Sequence, residues 1–350
     1  MSRSAQKAAA QKHQGLDRHA FGRAQQSRAR GPGDKSMLRK RRVVPPDHKP
    51  FAAFPVQFIE TRDATVRAAV HVTAPLSRGK IPLVCLAGLQ RNMSDFADFA
   101  SYFRRLGTGN WPMVLIDLPG RGRADDRTKA EDYNSLSDAR DVADILAALG
   151  IGRAIVLGQG HGGQVAMALA AAHPLLVAGT ILLDAGPMVD SRGIVRLRNN
   201  LKHIDGLRGA KRVAAGFRRM LAGDYPELSE EALDALAQRS HTIDKRGRAL
   251  PLFDERLLAP LEAISFNDVL TPQWPLFDAL NGVPLMILRT QLTDQLRRET
   301  YEEMVRRRLD ALALTIAGQG SPALFDQHDE IEAVAGFVFK VGAQVRSKAA

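Results

Sequence analysis

Apolar and polar positions along most of the chain fall into a cadence of short strands and amphipathic helices. PVQFIE (55–60) and TVRAAVHVTA (65–74) predict two strands joined by a short turn. IPLVCLAG (81–88) is a wholly apolar run of the kind that forms a buried parallel strand. SDFADFASYFRRLG (94–107) follows with helical spacing, and Ser94 is its expected cap. WPMVLIDLPGRGR (111–123) predicts a further buried strand running into glycine turns, and SDARDVADILAALG (137–150) a helix stopped by Gly150. RAIVLGQGHGGQVAMALAAAHP (153–174) reads as strand, glycine turn and helix, and GTILLDAGP (179–187) as the next strand. From about 188 to 281 the strand signal gives way to helical, charged sequence. VPLMILRTQLTD (283–294), a helix around Tyr301 to Arg308, LALTIAGQGSP (312–322) and a last helix from near Asp329 then resume the sheet pattern. Alternation of this kind predicts an α/β fold with a mostly parallel central sheet flanked by helices, and a helical insertion between two of its strands.

Charge divides the chain differently. The net charge of +11 suggests a nucleic-acid binder until it is located. Residues 1–50 carry 13 Lys and Arg against 3 Asp, whereas residues 51–350 carry 36 basic and 35 acidic groups. The basic character therefore belongs to a tail that is too poor in apolar residues to offset its own ordering entropy, and disorder is expected there. Its RKRR run, Arg39 to Arg42, has two readings: weak contact with nucleic acid or another anionic surface, or a solvated, dispensable extension. A mitochondrial presequence is a further option, because the first 16 residues lack acid. The single cysteine, Cys85, excludes an internal disulfide framework, and with no secretory h-region or membrane span visible a cytoplasmic location is expected.

The candidate chemistry centres on Gly158-Gln159-Gly160-His161-Gly162-Gly163, between a strand and a helix. Gly158, Gly160 and Gly163 fit the G-x-G-x-x-G dinucleotide fingerprint, with Asp184 about 20 residues on as its acid. The same residues fit the nucleophile elbow G-x-S-x-G, with Gly160 where the serine would be. Position favours the elbow, since a dinucleotide loop follows the first strand of its unit and here about four strands precede it.

With the elbow in place, the chain from about 55 to 340 resembles the α/β-hydrolase fold family, in its haloperoxidase/epoxide-hydrolase-like branch. LAGLQRN (86–92), DLPGRGR (117–123), the glycine elbow, LLDAGP (182–187), WPLFDAL (274–280), LRTQLTD (288–294) and GQGSPALFD (318–326) carry the resemblance in order. It implies a core of residues 51–187 and 282–350 and a helical lid at 188–281. It implies a triad whose acid position is Asp294, whose nucleophile position is Gly160 and whose base position is Ser321, with Leu89 and His161 supplying backbone N–H groups to an oxyanion hole. Glycine cannot attack and serine cannot replace imidazole as a base, so the triad is degenerate. The resemblance thus implies a pseudoenzyme that binds a small molecule or a partner under the lid without turning it over.

Two alternatives stand beside it: a hydrolase or lyase acting on a small ester-like or related substrate, with His161 and Asp294 as acid and base, and an interaction protein working through the basic tail. His328 is expected to be an exposed residue near a helix start, and Cys85 a small buried hydrophobe. The first part of the lid (191–221) has nine Lys and Arg. They read either as attraction for an anionic ligand or as the solvated side of a helix pair whose Val195, Leu197, Leu201, Val213, Phe217 and Leu221 face inward. No cofactor is expected, and no cluster has metal-ligand spacing.

Overall fold

The computed structural model describes residues 51–349 apart from 52–53, 64–65, 78 and 107–109. The basic tail, with its RKRR run, lies outside the described residues. The apolar runs form the middle of one eight-stranded sheet: β1 (Gln57–Glu60), β2 (Arg67–Val72), β3 (Leu83–Leu86), β4 (Met113–Asp117), β5 (Ala154–Gln159), β6 (Val177–Leu183), β9 (Leu285–Thr290) and β10 (Leu312–Ile316). Their order is β1-β2-β4-β3-β5-β6-β9-β10. β2 pairs antiparallel with both β1 and β4, and the remaining neighbours are parallel.

Successive side chains of these runs enter opposite faces, which is why the strands are apolar throughout. Leu83, Cys85, Ile155 and Leu157 pack on one face with residues of α1 (Ala97–Phe103) and α9 (His328–Ala349), including Phe99, Phe103, Val334 and Val338. Val84, Leu86, Ala154 and Val156 pack on the other with α2 (Ser135–Ala148), α3 (His161–Ala172), α7 (Trp274–Asp278) and α8 (Arg298–Arg307). Cys85 is fully buried in the first layer, as a small hydrophobe would be. Ser94 does not cap α1. Asn92 caps the 3₁₀ turn Met93–Phe96 that leads into the helix, accepting from the Ser94 N–H at 3.0 Å.

Between β6 and β9 the chain forms α4 (Ser191–Gly206), α5 (Ala210–Ala222), α6 (Glu230–Gln238) and a 3₁₀ segment, Glu255–Ala263. Ile204, Val213, Phe217, Leu221, Tyr225 and Leu233 make a small core of their own. The insertion is not purely helical as its sequence suggests. A hairpin of β7 (His241–Ile243) and β8 (Ala249–Pro251) lies within it. The Asp244 carboxylate ties the turn by accepting the N–H groups of Arg246 and Arg248, and three-residue strands are too short to show a period of two. α7, near the end of the insertion, belongs to the sheet's flank: Phe277 is fully buried against the core. No helix among the described residues is long and apolar enough to cross a membrane.

Candidate functional site

The chain leaves β3 towards β4 on one side and later enters β5 on the other, so a crevice opens beyond the C-terminal ends of these strands. A cavity of about 400 Å³ occupies it, roofed by the insertion. Gly160, His161, Leu89, Asp294 and Ser321 all line this cavity, so the fold brings together the triad and oxyanion positions read from the sequence.

β5 ends at Gln159 and α3 begins at His161, leaving Gly160 in the turn at φ +51°, ψ −114°. A residue with a side chain would be strained there, and glycine is not. A Cβ on Gly162 would lie 2.2 Å from the Leu86 carbonyl oxygen, which shows how closely α3 crosses β3. The backbone N–H groups of Leu89 and His161 donate to no acceptor among the described residues. His161 presents its N–H at the start of α3, where partial positive charge collects, and Leu89 presents its own from the turn after β3.

A buried ion network joins these two donors. The Arg121 guanidinium donates to the Leu89 carbonyl at 2.6 Å and to Asp138 at 3.0 Å. Asp138 also takes Arg127 at 2.5 Å and the Nε2 of His161 at 2.8 Å. Although burial opposes its charge, Arg121, His161 and Arg127 hold the Asp138 carboxyl well below the usual range. With Nε2–H directed at Asp138, the neutral imidazole keeps its Nδ1 lone pair free of any partner among the described residues. Burial pulls the His161 pKa down, although the hydrogen bond to Asp138 works the other way.

The pairing of His161 with Asp294 suggested by the sequence does not form. Asp294 is bound by Arg196 of α4, which also donates to Asp224 at 3.0 and 3.1 Å. Ser321 instead faces Asp184, a carboxyl at the end of β6 that holds a positive φ of 48°. Asp184 accepts the Thr290 N–H at 2.8 Å and the Thr290 hydroxyl at 2.7 Å. Burial nevertheless lifts its pKa to about 6, with the Thr290 and Ser321 hydrogen bonds pulling it back. Its sequence signal was its place at a strand end beside the elbow. His328 lies away from the cavity, exposed on the first turn of α9 and 3.3 Å from Glu332. With Asp329 these two residues bring ligand-type atoms within 4.8 Å of one another, an arrangement the sequence spacing had not suggested.

Besides the Arg121–Asp138–Arg127 network, a further residue at the site was not foreseen. A Cβ built on Gly160 would lie 2.6 Å from the Oε1 of Gln295, so the Gln295 carboxamide stands in the place of a nucleophile's side chain. The insertion's basic residues do not gather at the cavity either: of the nine in 191–221, only Arg196 lines it.

A mostly parallel sheet, a strand–glycine–helix elbow and an insertion over the strand ends define an α/β-hydrolase fold. The chain belongs to the alpha/beta hydrolase family, whose model matches residues 83–334. It is 28% identical over 243 residues to the 3-hydroxybutyrate-oligomer hydrolase of Cupriavidus necator, a match covering 64% of this chain and 77% of that protein. It is 28% identical over 170 residues to a 2-hydroxy-6-oxononadienedioate/2-hydroxy-6-oxononatrienedioate hydrolase of Paraburkholderia phymatum, covering 47% of this chain and 59% of that one. Among solved structures, an alpha/beta hydrolase from Novosphingobium aromaticivorans superposes with a TM-score of 0.70 at 27% identity, covering 81% of this chain and 98% of the other.

Proposed function

We propose that this protein is a hydrolase-fold member that binds a small molecule in the cavity beneath the insertion, its lid, and does not turn it over by the serine route. Gly160 carries this reading: the elbow conformation is kept while the position has no side chain. The base position, Ser321, cannot supply an imidazole, so both groups that move the proton and form the acyl bond are missing. What persists is binding apparatus, namely a cavity with an apolar wall and two unengaged backbone donors. The named substrates of the two relatives, hydroxybutyrate oligomers and oxo-dienedioates, carry carbonyl oxygens of the kind such donors receive. Purified protein incubated with short-chain p-nitrophenyl esters should release nitrophenol no faster than heat-inactivated protein. Turnover that saturates with ester and vanishes on heating would overturn the reading.

The Asp138–His161 pair favours a second reading, a hydrolase or lyase in which His161 is the acid/base group. Its partner is then Asp138, not Asp294. His161→Ala should abolish any activity found under this reading while leaving the protein folded; retained activity would reject it.

A further inference from the structure

The Gln295 side chain has no hydrogen-bond partner among the described residues; only its backbone N–H is engaged, with the Thr293 hydroxyl at 3.1 Å. Its Oε1 lies 2.6 Å from the Cβ position of Gly160, and the Cα of Gly88 lies 4.0 Å from that same position. The carboxamide therefore sits against the elbow turn that presents the His161 N–H, near the point where the turn before Leu89 also approaches. Gln159, only 2% exposed, lines the same cavity and has an Nε2 with no hydrogen-bond partner among the described residues. For Gln159, which is buried, an unpaired carboxamide is costly unless something else meets it, whereas the half-buried Gln295 side chain opens onto the cavity.

The charges around the cavity restrict what that something is. Both arginines on its wall are closed in ion pairs, Arg91 with Asp95 at 2.5 Å and Arg196 with Asp224 and Asp294. Asp184 adds a buried carboxyl beside the elbow. An anionic ligand would meet these carboxylates with no unpaired arginine or lysine on the cavity wall among the described residues to balance it, whereas a carbonyl dipole needs only the N–H donors. Beyond this polar end the wall is apolar, with Ile194, Leu197, Leu257 and Leu261.

We propose that Gln295 is a specificity-determining ligand contact standing where the family's nucleophile would stand, and that it selects an uncharged acyl compound, an ester, amide or lactone with an apolar tail. The carbonyl oxygen lies on the Leu89 and His161 N–H groups, and the Gln295 carboxamide meets the ester or amide heteroatom side. This rests on the reading of the cavity as a non-hydrolytic binding site, and deepens it by naming the ligand class.

The test compares methyl 3-phenylpropanoate with 3-phenylpropanoate at pH 8, by ligand-observed NMR titration of the full chain. The ester should bind roughly tenfold more tightly than the acid. Gln295→Ala should weaken ester binding about fivefold, the loss of one neutral hydrogen bond, while leaving the melting temperature and the acid's weak binding unchanged. Gln295→Asn, which keeps the carboxamide, should recover part of the loss if the amide is the contact. Equal or tighter binding of the acid, an ester affinity unaffected by Gln295→Ala, or no binding of either probe each overturns the proposal. Conversion of the ester to acid during the titration is a separate outcome, because it overturns the non-hydrolytic reading beneath it.

Discussion

At the scale of single residues, Asp184 is where environment most clearly departs from composition. Its folded pKa of about 6 lies above the ordinary aspartate value of 3.8, so the folded protein holds a proton that the unfolded chain releases. Stability from this group is therefore highest below about pH 4 and declines as pH rises through 6. Asp184→Asn keeps an acceptor for Thr290 and suits the positive φ, while removing the buried charge. At pH 8 the variant should be more stable than the wild type by about 2 kcal/mol, with the gap closing towards pH 4. Urea denaturation at the two pH values measures it, and a gap independent of pH would reject the explanation. No sequence signal gives such a shift. Asp184 is visible as an acid at a strand end, but its burial and its hydrogen bond to Thr290, 106 residues away, arise only once the sheet is assembled.

At the scale of elements, the elbow and the insertion behave differently. The crossing of α3 over β3 leaves no room for a methyl group on Gly162, whose neighbour is backbone and cannot swing aside. Gly162→Ala should cost about 2–3 kcal/mol in chemical denaturation, and a cost below 0.5 kcal/mol would show that the contact is looser than drawn. Arg196, by contrast, ties α4 to Asp294 while its side chain stays 42% exposed. Arg196→Ala should cost less than about 1 kcal/mol globally, as exposed ion pairs do. It should nonetheless speed proteolytic cleavage within 188–273, because it releases the ion pair to Asp294 that holds α4 to the loop after β9 and the pair to Asp224 within the insertion. An unchanged cleavage rate would mean that packing alone fixes the insertion.

The elements themselves were legible where they are long or wholly apolar: β3, β5, β6 and β9 are continuous hydrophobic runs, and α2 and α5 keep helical spacing. The β7–β8 hairpin was not legible, because its strands are three residues each and its pairing is fixed by a polar turn. At the site, the glycine elbow could be read from local spacing alone. The partners could not: Asp138 with His161 and Arg196 with Asp294 join residues 23 and 98 positions apart. Gln295, adjacent to the expected acid, acquires its meaning only when β9 is laid beside β6 and the loop after it reaches Gly160.

At the scale of the whole molecule, a family fold is retained with its strand order and its elbow, and on the proposed reading Gly160 and Ser321 stand at the nucleophile and base positions. The buried Arg121–Asp138–Arg127 network holds both donor positions through charges that cannot be broken singly without leaving an unpaired ion. Under the proposed non-hydrolytic reading, a polar scaffold around a cavity with glycine at its centre serves to hold a ligand. Intact-protein mass spectrometry after exposure to a serine-reactive fluorophosphonate tests this most directly. The account predicts an unmodified mass for the folded protein under conditions that label a working serine hydrolase to completion. A stoichiometric adduct, mapped to any hydroxyl lining the cavity, would contradict it.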